Sequence, residues 1–333
     1  MNISDIYKMQ IEALDDKEKE IGKELETVFG SDGGFSFDSQ NPFGIVILSG
    51  GQGTRLGVDL PKGCFELEKG RSLFSILVSK IRKKNAYLAV MTAEDNHQTV
   101  LEFFEKNNYF GLNKSNLDFF TQENWPVLSL DRQLVKKDEN HFLTSPIGNG
   151  SFYSAFMKSS ILPKWQNLGV TCINILPIDN ILADPQDENL LGAINQGYDL
   201  AIRGIQGNIG EKVGKIFKKN NKVHIIEYSS KQPEENTLAY SGLFAISMKF
   251  LLQAAALDLP IYPVYKKGKV LLQNEIKEVD IIKFERFIFD VFHIAENNIV
   301  LNTCRKKYFC PLKDKLGPYG VESVRQTYKE VLV

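Results

Sequence analysis

A glycine-rich loop follows a short apolar run, and two basic side chains accompany it. The loop reads Leu48-Ser49-Gly50-Gly51-Gln52-Gly53-Thr54-Arg55-Leu56-Gly57 and continues to Pro61-Lys62-Gly63. Because glycine has no β-carbon, backbone amides in such a loop can approach phosphate oxygens closely. The forked guanidinium of Arg55 can hold two phosphate oxygens, while Lys62 supplies a compact positive charge. The loop predicts a triphosphate-binding site, in which the nucleotide meets Gly50, Gly51, Gly53 and Thr54.

Two common glycine motifs are absent from this loop. No Gly-Lys-Ser or Gly-Lys-Thr occurs in the chain, so the P-loop pattern is missing. Leu56 stands where the third glycine of a dinucleotide-binding motif would be. A kinase and a dehydrogenase are therefore disfavoured. Glycine spacing alone fits a tight turn after a strand equally well, but Arg55 and Lys62 favour phosphate binding.

The elements around the loop predict an α/β fold. Residues 44–48 form an apolar run rich in β-branched side chains, as in a strand buried on both faces of a parallel sheet. Helices are then predicted at residues 73–84, 96–107 and 152–159, and strands at residues 87–91, 117–121, 171–176 and 199–202. This alternation favours a mixed, mostly parallel sheet flanked by helices, with the ligand at the carboxyl ends of its strands.

The ends of the chain have a different pattern. Residues 4–29 carry apolar side chains at helical spacing, which predicts one or two amphipathic helices before a glycine-rich turn. Asn220-Asn221 lies between two apolar segments and predicts a β-hairpin, and further helices are expected at residues 287–295 and 321–331. We expect a helical N-terminal extension at residues 1–40, a main domain at 41–305 and a short C-terminal segment at 306–333.

Composition and charge exclude several classes of function. Lys and Arg number 40 against 41 Asp and Glu, which leaves no excess positive charge for a nucleic-acid backbone. The four cysteines lack C-x-x-C spacing and the four histidines lie far apart, so we expect neither a zinc site nor a disulfide framework. No apolar run suits a membrane span or a signal peptide. We expect a cytoplasmic protein with no nucleic-acid or membrane partner.

The loop and several later segments, in the same order, resemble the eukaryotic-type UDP-N-acetylglucosamine pyrophosphorylases and their UDP-sugar pyrophosphorylase relatives. The later segments are Phe119-Phe120-Thr121-Gln122, Pro146-Ile147-Gly148-Asn149-Gly150, Asp179-Asn180, Val213-Gly214 with Glu227-Tyr228-Ser229, residues 282–292 and Pro311-Leu312-Lys313. The resemblance covers about residues 44–314. It implies a Rossmann-like, GT-A-like nucleotidyltransferase fold whose catalytic domain is residues 41–305.

The resemblance also implies a role for individual residues. Gln122 would read the uracil edge, Gly148 and Asn149 would lie at the nucleoside, and Asp179 would bind Mg²⁺ or Mn²⁺. Lys313 would meet the phosphates together with Arg55 and Lys62. The sugar would be contacted by Glu227, Tyr240, Gly242, Phe287 and Phe289.

The implied reaction is attack by an oxygen of a sugar 1-phosphate on the α-phosphorus of UTP. The products would be UDP-N-acetylglucosamine and pyrophosphate, and the protein would be a monomer or a weak homo-oligomer. One alternative is a UDP-glucose or broad-specificity UDP-sugar pyrophosphorylase. A second is an inactive nucleotide-sugar sensor.

Three features depart from the family pattern. Ile147 occupies the place of a motif aspartate, and Tyr240, before Ser241-Gly242, stands at the asparagine of the family's N-A-G motif. Little of the chain follows Lys313, where the usual C-terminal domain would be expected.

Several residues keep a second interpretation from residue type alone. Gln122 fits an ordinary surface residue, and Asp179 fits a turn at the end of a strand. Phe287, Phe289 and Phe292 fit either core residues of a helix or an aromatic wall against an acetyl methyl group.

Overall fold

The structure is a computed structural model, and it describes residues 2–15, 25–31, 33–38, 40–208, 210–227, 237–272 and 275–332. The strands are β1 (Glu26–Thr27), β2 (Phe43–Leu48), β3 (Glu66–Glu68), β4 (Arg71–Ser72), β5 (Ala86–Thr92), β6 (Leu117–Thr121), β7 (Asn124–Pro126), β8 (Leu128–Ser129), β9 (Thr144–Pro146), β10 (Cys172–Pro177), β11 (Leu200–Ile205), β12 (Lys215–Lys219), β13 (Lys222–Ile226), β14 (Ala239–Ser247), β15 (Tyr262–Leu272), β16 (Glu275–Glu285) and β17 (Asn298–Thr303). The helices are α1 (Ile3–Asp15), α2 (Leu73–Val78), α3 (Glu94–Lys106), α4 (Phe152–Lys158), α5 (Ile161–Asn167), α6 (Glu188–Asn195), α7 (Met248–Ala255), α8 (Arg305–Tyr308) and α9 (Val321–Leu332). Short 3₁₀ helices lie at Thr54–Leu56, Lys62–Cys64, Asn108–Gly111, Lys114–Asn116, Asn149–Ser151 and Ile288–Ile294.

A large mixed sheet forms the centre of the molecule. Its main path is β1-β12-β14-β10-β2-β5-β6, with β11 between β14 and β17, and β13 beside β12. Strands β10, β2, β5 and β6 pair in parallel, and β11 pairs in parallel with β17. Strand β14 is antiparallel to β10, β11 and β12, and β1 and β13 are antiparallel to β12. The other strands of the sheet therefore run in one direction. The predicted mixed, mostly parallel sheet is confirmed.

Strand β2 shows why this sequence forms a strand at the centre of the sheet. Ile45 and Ile47 pack into the core on one face, beside α2, α3 and α6. Val46 packs into the core on the other face, beside α4, α5 and α7. A β-carbon on Gly44 would overlap the Trp165 ring, so this glycine lets α5 approach the sheet. Two cores therefore enclose the strand that leads into the glycine-rich loop.

The predicted elements of the sheet are confirmed, with changes at their ends. The helix expected at residues 73–84 ends at Val78, because the chain then turns and the Nζ of Lys80 donates hydrogen bonds to the carbonyls of Ile181 and Ala183. The helix expected at residues 287–295 is a 3₁₀ helix, Ile288–Ile294. Its tighter winding places Ile288 and Val291 in the same core.

The hairpin prediction is confirmed, and the N-terminal prediction needs a correction. Strands β12 and β13 pair around Asn220 and Asn221, which have φ values of 51° and 61°. Two left-handed residues make a type I′ turn, for which asparagine is favoured. Helix α1 confirms the start of the N-terminal prediction, but Glu26–Thr27 forms β1 and pairs with β12. Residues 16–24 of that prediction, and Tyr228 and Ser229 of the hairpin motif, lie outside the described residues.

The remaining predictions about the ends of the chain have different outcomes. The terminal helix is confirmed as α9. The domain boundaries at residues 40 and 305 stay predictions. In the described part of the chain, no helix has both the length and the apolar character that crossing a bilayer requires.

Candidate active site

The glycine-rich loop lies at the carboxyl edge of the parallel strands. The Ser49 amide donates to the carbonyl of Met91 at 2.7 Å, which fixes the start of the loop beside β5. The Gln122 amide donates to the carbonyl of Thr92 at 2.8 Å, and the Ile178 amide donates to that of Leu48 at 3.1 Å. The ends of β2, β5, β6 and β10 thus bring the loop, Gln122 and Asp179 to one edge. This is the edge at which sheets of this kind bind ligands.

The loop is held closed by its own backbone. The Gly53 amide donates to the carbonyl of Leu60 at 2.8 Å, and the Lys62 amide donates to that of Gly51 at 3.1 Å. A β-carbon on Gly53 would lie 2.8 Å from the Leu60 oxygen, so the turn requires glycine there. Gly51 faces open space instead, with no atom of the described residues within 4 Å of such a β-carbon. A ligand can approach the backbone at Gly51.

Gln122 packs against the loop. Its side chain is 7% exposed, so it is not an ordinary surface glutamine. A β-carbon on Gly50 would overlap its Nε2 atom, which explains why glycine stands at residue 50. The structure brings this amide to the glycine-rich loop, and its contact with uracil stays a prediction.

Lys62, Asp179 and the segment before Lys313 converge beside the loop. The Nζ of Lys62 lies 3.4 Å from Oδ2 of Asp179 and 3.4 Å from the carbonyl oxygen of Leu312. The Leu312 amide donates to the carbonyl of Asp179 at 2.8 Å. The Lys313 amide donates to the carbonyl of Tyr319, and its Nζ lies 5.9 Å from the centre of the Tyr319 ring. Lys62 and Asp179 therefore lie together beside the loop, and the backbone that leads to Lys313 is fixed next to them.

Arg55 lies at the exposed end of the same loop. Its side chain is exposed, and its carbonyl oxygen accepts a hydrogen bond from the Lys315 amide at 3.1 Å. The guanidinium forms no ion pair with any of the described residues. It is therefore available to an anion that approaches the loop. Thr54 beside it is also exposed.

Asn180 is a positioning residue that sequence reasoning missed. It is completely buried, and its Oδ1 accepts a hydrogen bond from the Cys310 amide at 3.0 Å. Its Nδ2 donates to the carbonyl of Tyr308 at 2.8 Å. These bonds fasten the segment that leads to Lys313 beside Asp179. The signal was present in the sequence, since an asparagine directly follows the proposed metal ligand.

The segment Pro146 to Gly150 pairs with the backbone of Arg286. The Arg286 amide donates to the carbonyl of Ile147 at 2.7 Å, and the Gly150 amide donates to that of Arg286 at 2.9 Å. Gly148 has a φ of +89°, and a β-carbon there would lie 2.8 Å from the Arg286 oxygen. Oδ1 of Asn149 accepts a hydrogen bond from the Ile288 amide at 3.0 Å. The proposed nucleoside contacts are thereby tied to the aromatic segment that follows residue 286.

Ile147 shows how the chain tolerates its departure from the family motif. Its side chain is completely buried. An apolar side chain needs no hydrogen-bond partner there, whereas a buried aspartate would need one. The change therefore fits the local packing.

Aromatic rings form the other side of the site. The rings of Phe287 and Phe289 stack with centres 5.1 Å apart and an angle of 9° between their planes. Tyr240 meets Phe289 edge-on at 5.8 Å and Phe292 edge-on at 5.9 Å. Phe292 is completely buried and Phe289 is 6% exposed, which confirms the core interpretation for both, whereas Phe287 is half-buried. The stacked pair can still act as a wall, whose accessible ring is that of Phe287.

Glu227 and Gly242 lie near these rings. Burial raises the pKa of the Tyr240 phenol, and the negative charge of Glu227 raises it further. The structure thus brings Glu227 and Tyr240 into one environment. Gly242 has a φ of +82°, and a β-carbon there would lie 3.3 Å from Cγ of Pro177 at the end of β10. All the predicted sugar contacts are placed at this end of the sheet, and their roles stay predictions.

Asp179 is the candidate metal ligand. Among the residues that the structure describes, no three histidine, cysteine, aspartate or glutamate side chains cluster as a metal site. Mg²⁺ often binds through one or two carboxylates together with substrate phosphates and water. The Asp179 side chain is 21% exposed beside the loop, so it can meet an ion that arrives with a triphosphate. The residues present fit such an ion.

The fold and this site define a class of protein. A glycine-rich loop after a central strand, at the carboxyl edge of a mixed sheet flanked by helices, is the architecture of a Rossmann-like nucleotidyltransferase. The family model described as UTP–glucose-1-phosphate uridylyltransferase matches residues 4–315. The chain belongs to this family.

Relatives of known name extend the comparison. The chain is 30% identical over 309 residues to the UDP-N-acetylglucosamine pyrophosphorylase of Saccharomyces cerevisiae, which covers 82% of this chain and 65% of the yeast protein. It is 32% identical over 291 residues to an Encephalitozoon cuniculi protein named "Probable UDP-N-acetylglucosamine pyrophosphorylase", covering 83% of this chain and 82% of that protein. The chain therefore spans less than two thirds of the length of the yeast relative, and most of the microsporidian one.

A solved structure shares the fold. The uridine diphosphate N-acetylglucosamine pyrophosphorylase of Trypanosoma brucei superposes with a TM-score of 0.74 at 24% identity, covering 87% of this chain and 65% of that chain. The predicted fold class is confirmed.

Proposed function

We propose that the protein is a uridylyltransferase that forms UDP-N-acetylglucosamine and pyrophosphate from UTP and N-acetylglucosamine 1-phosphate. The observation that carries the proposal is the convergence of Lys62, Asp179 and the segment before Lys313 beside the glycine-rich loop. Both substrates are anions, so the reaction needs cations and backbone donors that are already in place. This edge of the sheet offers both.

The triphosphate would lie along the open side of the loop. Backbone amides near Gly51 would meet phosphate oxygens, and the guanidinium of Arg55 would bind two of them. Lys62 is paired loosely with Asp179 at 3.4 Å, and both side chains are partly exposed. Such a pair is weak, so Lys62 can exchange its contact with Asp179 for one with a phosphate.

The uridine and the sugar would occupy opposite sides of this loop. The buried amide of Gln122 offers a donor and an acceptor to the uracil edge. The stacked rings of Phe287 and Phe289 offer an apolar surface to the acetyl methyl group, and Glu227 offers an acceptor to sugar hydroxyls. This arrangement would hold the sugar phosphate opposite the leaving pyrophosphate, as in-line attack requires.

Asp179 would hold Mg²⁺ or Mn²⁺ together with phosphate oxygens. The ion, when bound, supplies charge neutralisation on the phosphates. Lys313 would stabilise charge on the phosphates from the side opposite the loop. Asn180 keeps the Lys313 segment beside Asp179 through two hydrogen bonds to its backbone.

A substrate panel tests the proposal. Pyrophosphate release is measured with UTP and, in turn, the 1-phosphates of N-acetylglucosamine, N-acetylgalactosamine and glucose. We expect kcat/KM for the N-acetylglucosamine substrate to exceed that for glucose by about tenfold or more, as for a pocket that accepts an additional apolar group.

The same panel separates the alternatives. Preference for glucose 1-phosphate, the substrate in the description of the matching family, would support a UDP-glucose pyrophosphorylase. Similar rates with all sugars would support a broad-specificity enzyme. UTP binding without product from any sugar would support a nucleotide-sugar sensor.

We also propose a cytoplasmic location and a monomeric or weakly associating state. All four cysteines are free, and three of them are buried, which suits a reducing compartment. Fractionation of cells and analytical ultracentrifugation test these two points.

A further inference from the structure

Asp290 directly follows Phe289, one of the two rings of the aromatic wall, in the 3₁₀ helix Ile288–Ile294. Its Oδ1 accepts a hydrogen bond from the Tyr262 hydroxyl at 3.2 Å. Its Oδ2 is buried and has no hydrogen-bond partner among the described residues. A carboxyl group in such a place is costly to bury, and solvent does not reach the second oxygen. The hydrogen bond from the Tyr262 hydroxyl is therefore the side-chain contact through which this carboxyl group can position other residues.

Tyr262 connects Asp290 to the two phenylalanines. The Tyr262 ring packs against Phe287 with centres 5.0 Å apart, and Phe287 stacks on Phe289. Tyr262 begins β15, whereas the phenylalanines lie before and within the 3₁₀ helix Ile288–Ile294. The hydrogen bond from Tyr262 to Asp290 thus joins the start of β15 to the 3₁₀ helix, and Phe287 packs against the Tyr262 ring that makes this bond.

We propose that Asp290 is a positioning residue of the sugar site, which fixes the Phe287 and Phe289 pair through Tyr262 and thereby sets the affinity for the sugar part of the substrate. This inference rests on the proposed function, since it assigns the wall to the sugar. Asp290 does not touch the sugar itself. It restricts the motion of the Phe287 and Phe289 rings before the sugar binds, and a preorganised site binds more tightly.

The charges around Asp290 support this role. Burial raises the pKa of Asp290, the Phe287 amide and the Tyr262 hydroxyl lower it, and the negative charge of Glu227 raises it slightly, which together place it at about 7. Tyr153 on α4 and Tyr262 on β15 both have raised pKa values, so they stay protonated near neutral pH. Asp290 titrates near pH 7, and its charged form accepts a stronger hydrogen bond from the Tyr262 hydroxyl.

Isothermal titration calorimetry with UDP and UDP-N-acetylglucosamine tests the proposal without turnover. The quantity of interest is the sugar gain, the ratio of the Kd for UDP to the Kd for UDP-N-acetylglucosamine. Asp290→Ala and Tyr262→Phe each remove one partner of the bond. We expect each to lower the sugar gain about three- to tenfold, the effect of one hydrogen bond, with the Kd for UDP within about twofold.

Further variants separate positioning from general damage. The double variant should lose no more than either single variant, because both remove the same bond. Asp290→Asn keeps an acceptor for Tyr262 and should retain most of the sugar gain. The wild-type gain should rise between pH 6 and pH 8, as Asp290 ionises, and that of Asp290→Asn should stay flat. Tyr265→Phe, on the exposed part of the same strand, is the control.

Several results would overturn the inference. The first is a loss of sugar gain in the double variant that equals the sum of the two single losses. The second is an equal increase of the Kd for UDP and the Kd for UDP-N-acetylglucosamine in the single variants. The third is a wild type that binds the two ligands with equal Kd. The proposed function fails by a different result, the absence of pyrophosphate release by the wild type with every sugar 1-phosphate. A protein that binds the sugar nucleotide but makes no product would thus retain the role of Asp290 and lose the proposed reaction.

Discussion

The Nζ of Lys62 lies 3.4 Å from Oδ2 of Asp179, and this contact joins the loop after β2 to the end of β10. The two residues are far apart in the chain but come together because β2 and β10 are parallel neighbours whose last residues, Leu48 and Pro177, pair. The contact places a cation and a carboxylate where a triphosphate and its metal ion would both need a partner.

Asp179→Asn should raise the concentration of Mg²⁺ that gives half-maximal activity. An amide binds a hard cation more weakly than a carboxylate does. Loss of a residue that merely orients a metal ligand already costs about 10- to 100-fold in metal affinity or activity, so we expect a shift at least this large. The measurement is pyrophosphate release against Mg²⁺ concentration at saturating substrates. Asp59→Asn changes an exposed carboxylate of the same loop and should leave the curve unchanged. An unchanged curve for Asp179→Asn would remove this residue from the metal site.

Arg55→Ala should lower kcat about 100- to 1000-fold, the loss expected for one preorganised electrostatic contact in the transition state. Because the side chain is exposed and forms no ion pair with the described residues, the thermal unfolding temperature should stay within about one degree of the wild type. Turnover at saturating UTP is the measurement. Arg82→Ala, an exposed arginine on the surface after α2, is the control. Near-normal turnover of Arg55→Ala would contradict the role of this side chain.

Gly50→Ala should raise the KM for UTP, because the new methyl group would overlap Nε2 of Gln122 and push the amide away. We expect an increase of about tenfold, similar to the loss of one well-placed hydrogen bond. Steady-state kinetics with UTP and CTP measure both affinity and base selectivity. Gly207→Ala is a matched control, since its β-carbon would meet Ala239 at an ordinary 3.5 Å. Gln122→Ala tests the base contact directly. If this variant raises the KM for CTP and the KM for UTP by the same factor, the amide does not read the base.

Much of this site could be predicted from the sequence, because its parts are local motifs. The glycines, Arg55 and Lys62 lie within one loop, and the apolar run before them identifies a buried strand. The contact of Gly50 with Gln122 could not be predicted from the residues alone, since it depends on how β5 and β6 pair. The same holds for Asp290, whose partner Tyr262 belongs to another element.

Asn180→Ala should destabilise the protein and loosen the segment that leads to Lys313. The change removes the acceptor of the Cys310 amide and the donor to the Tyr308 carbonyl, and unsatisfied buried groups cost about 1 to 3 kcal/mol. Urea unfolding measures the loss. Asn140→Ala, at an exposed turn, should leave the free energy of unfolding unchanged. If Asn180→Ala keeps full stability, the two hydrogen bonds do not hold this segment.

Asp290→Asn should become more stable relative to the wild type as the pH rises from about 4 to about 7. The pKa of Asp290 is raised to about 7 in the folded protein, above the ordinary aspartate value of 3.8, so ionisation is penalised on folding. With a raised pKa, the stabilising contribution is complete below the unfolded value and is lost as the pH rises to the folded one. Asparagine cannot ionise and escapes this loss. Thermal unfolding of both proteins between about pH 4 and pH 8 measures the difference, which should grow up to about pH 7 and stay constant above it. A constant difference would show that Asp290 does not titrate there, and the pH dependence expected for the sugar gain would then fail as well.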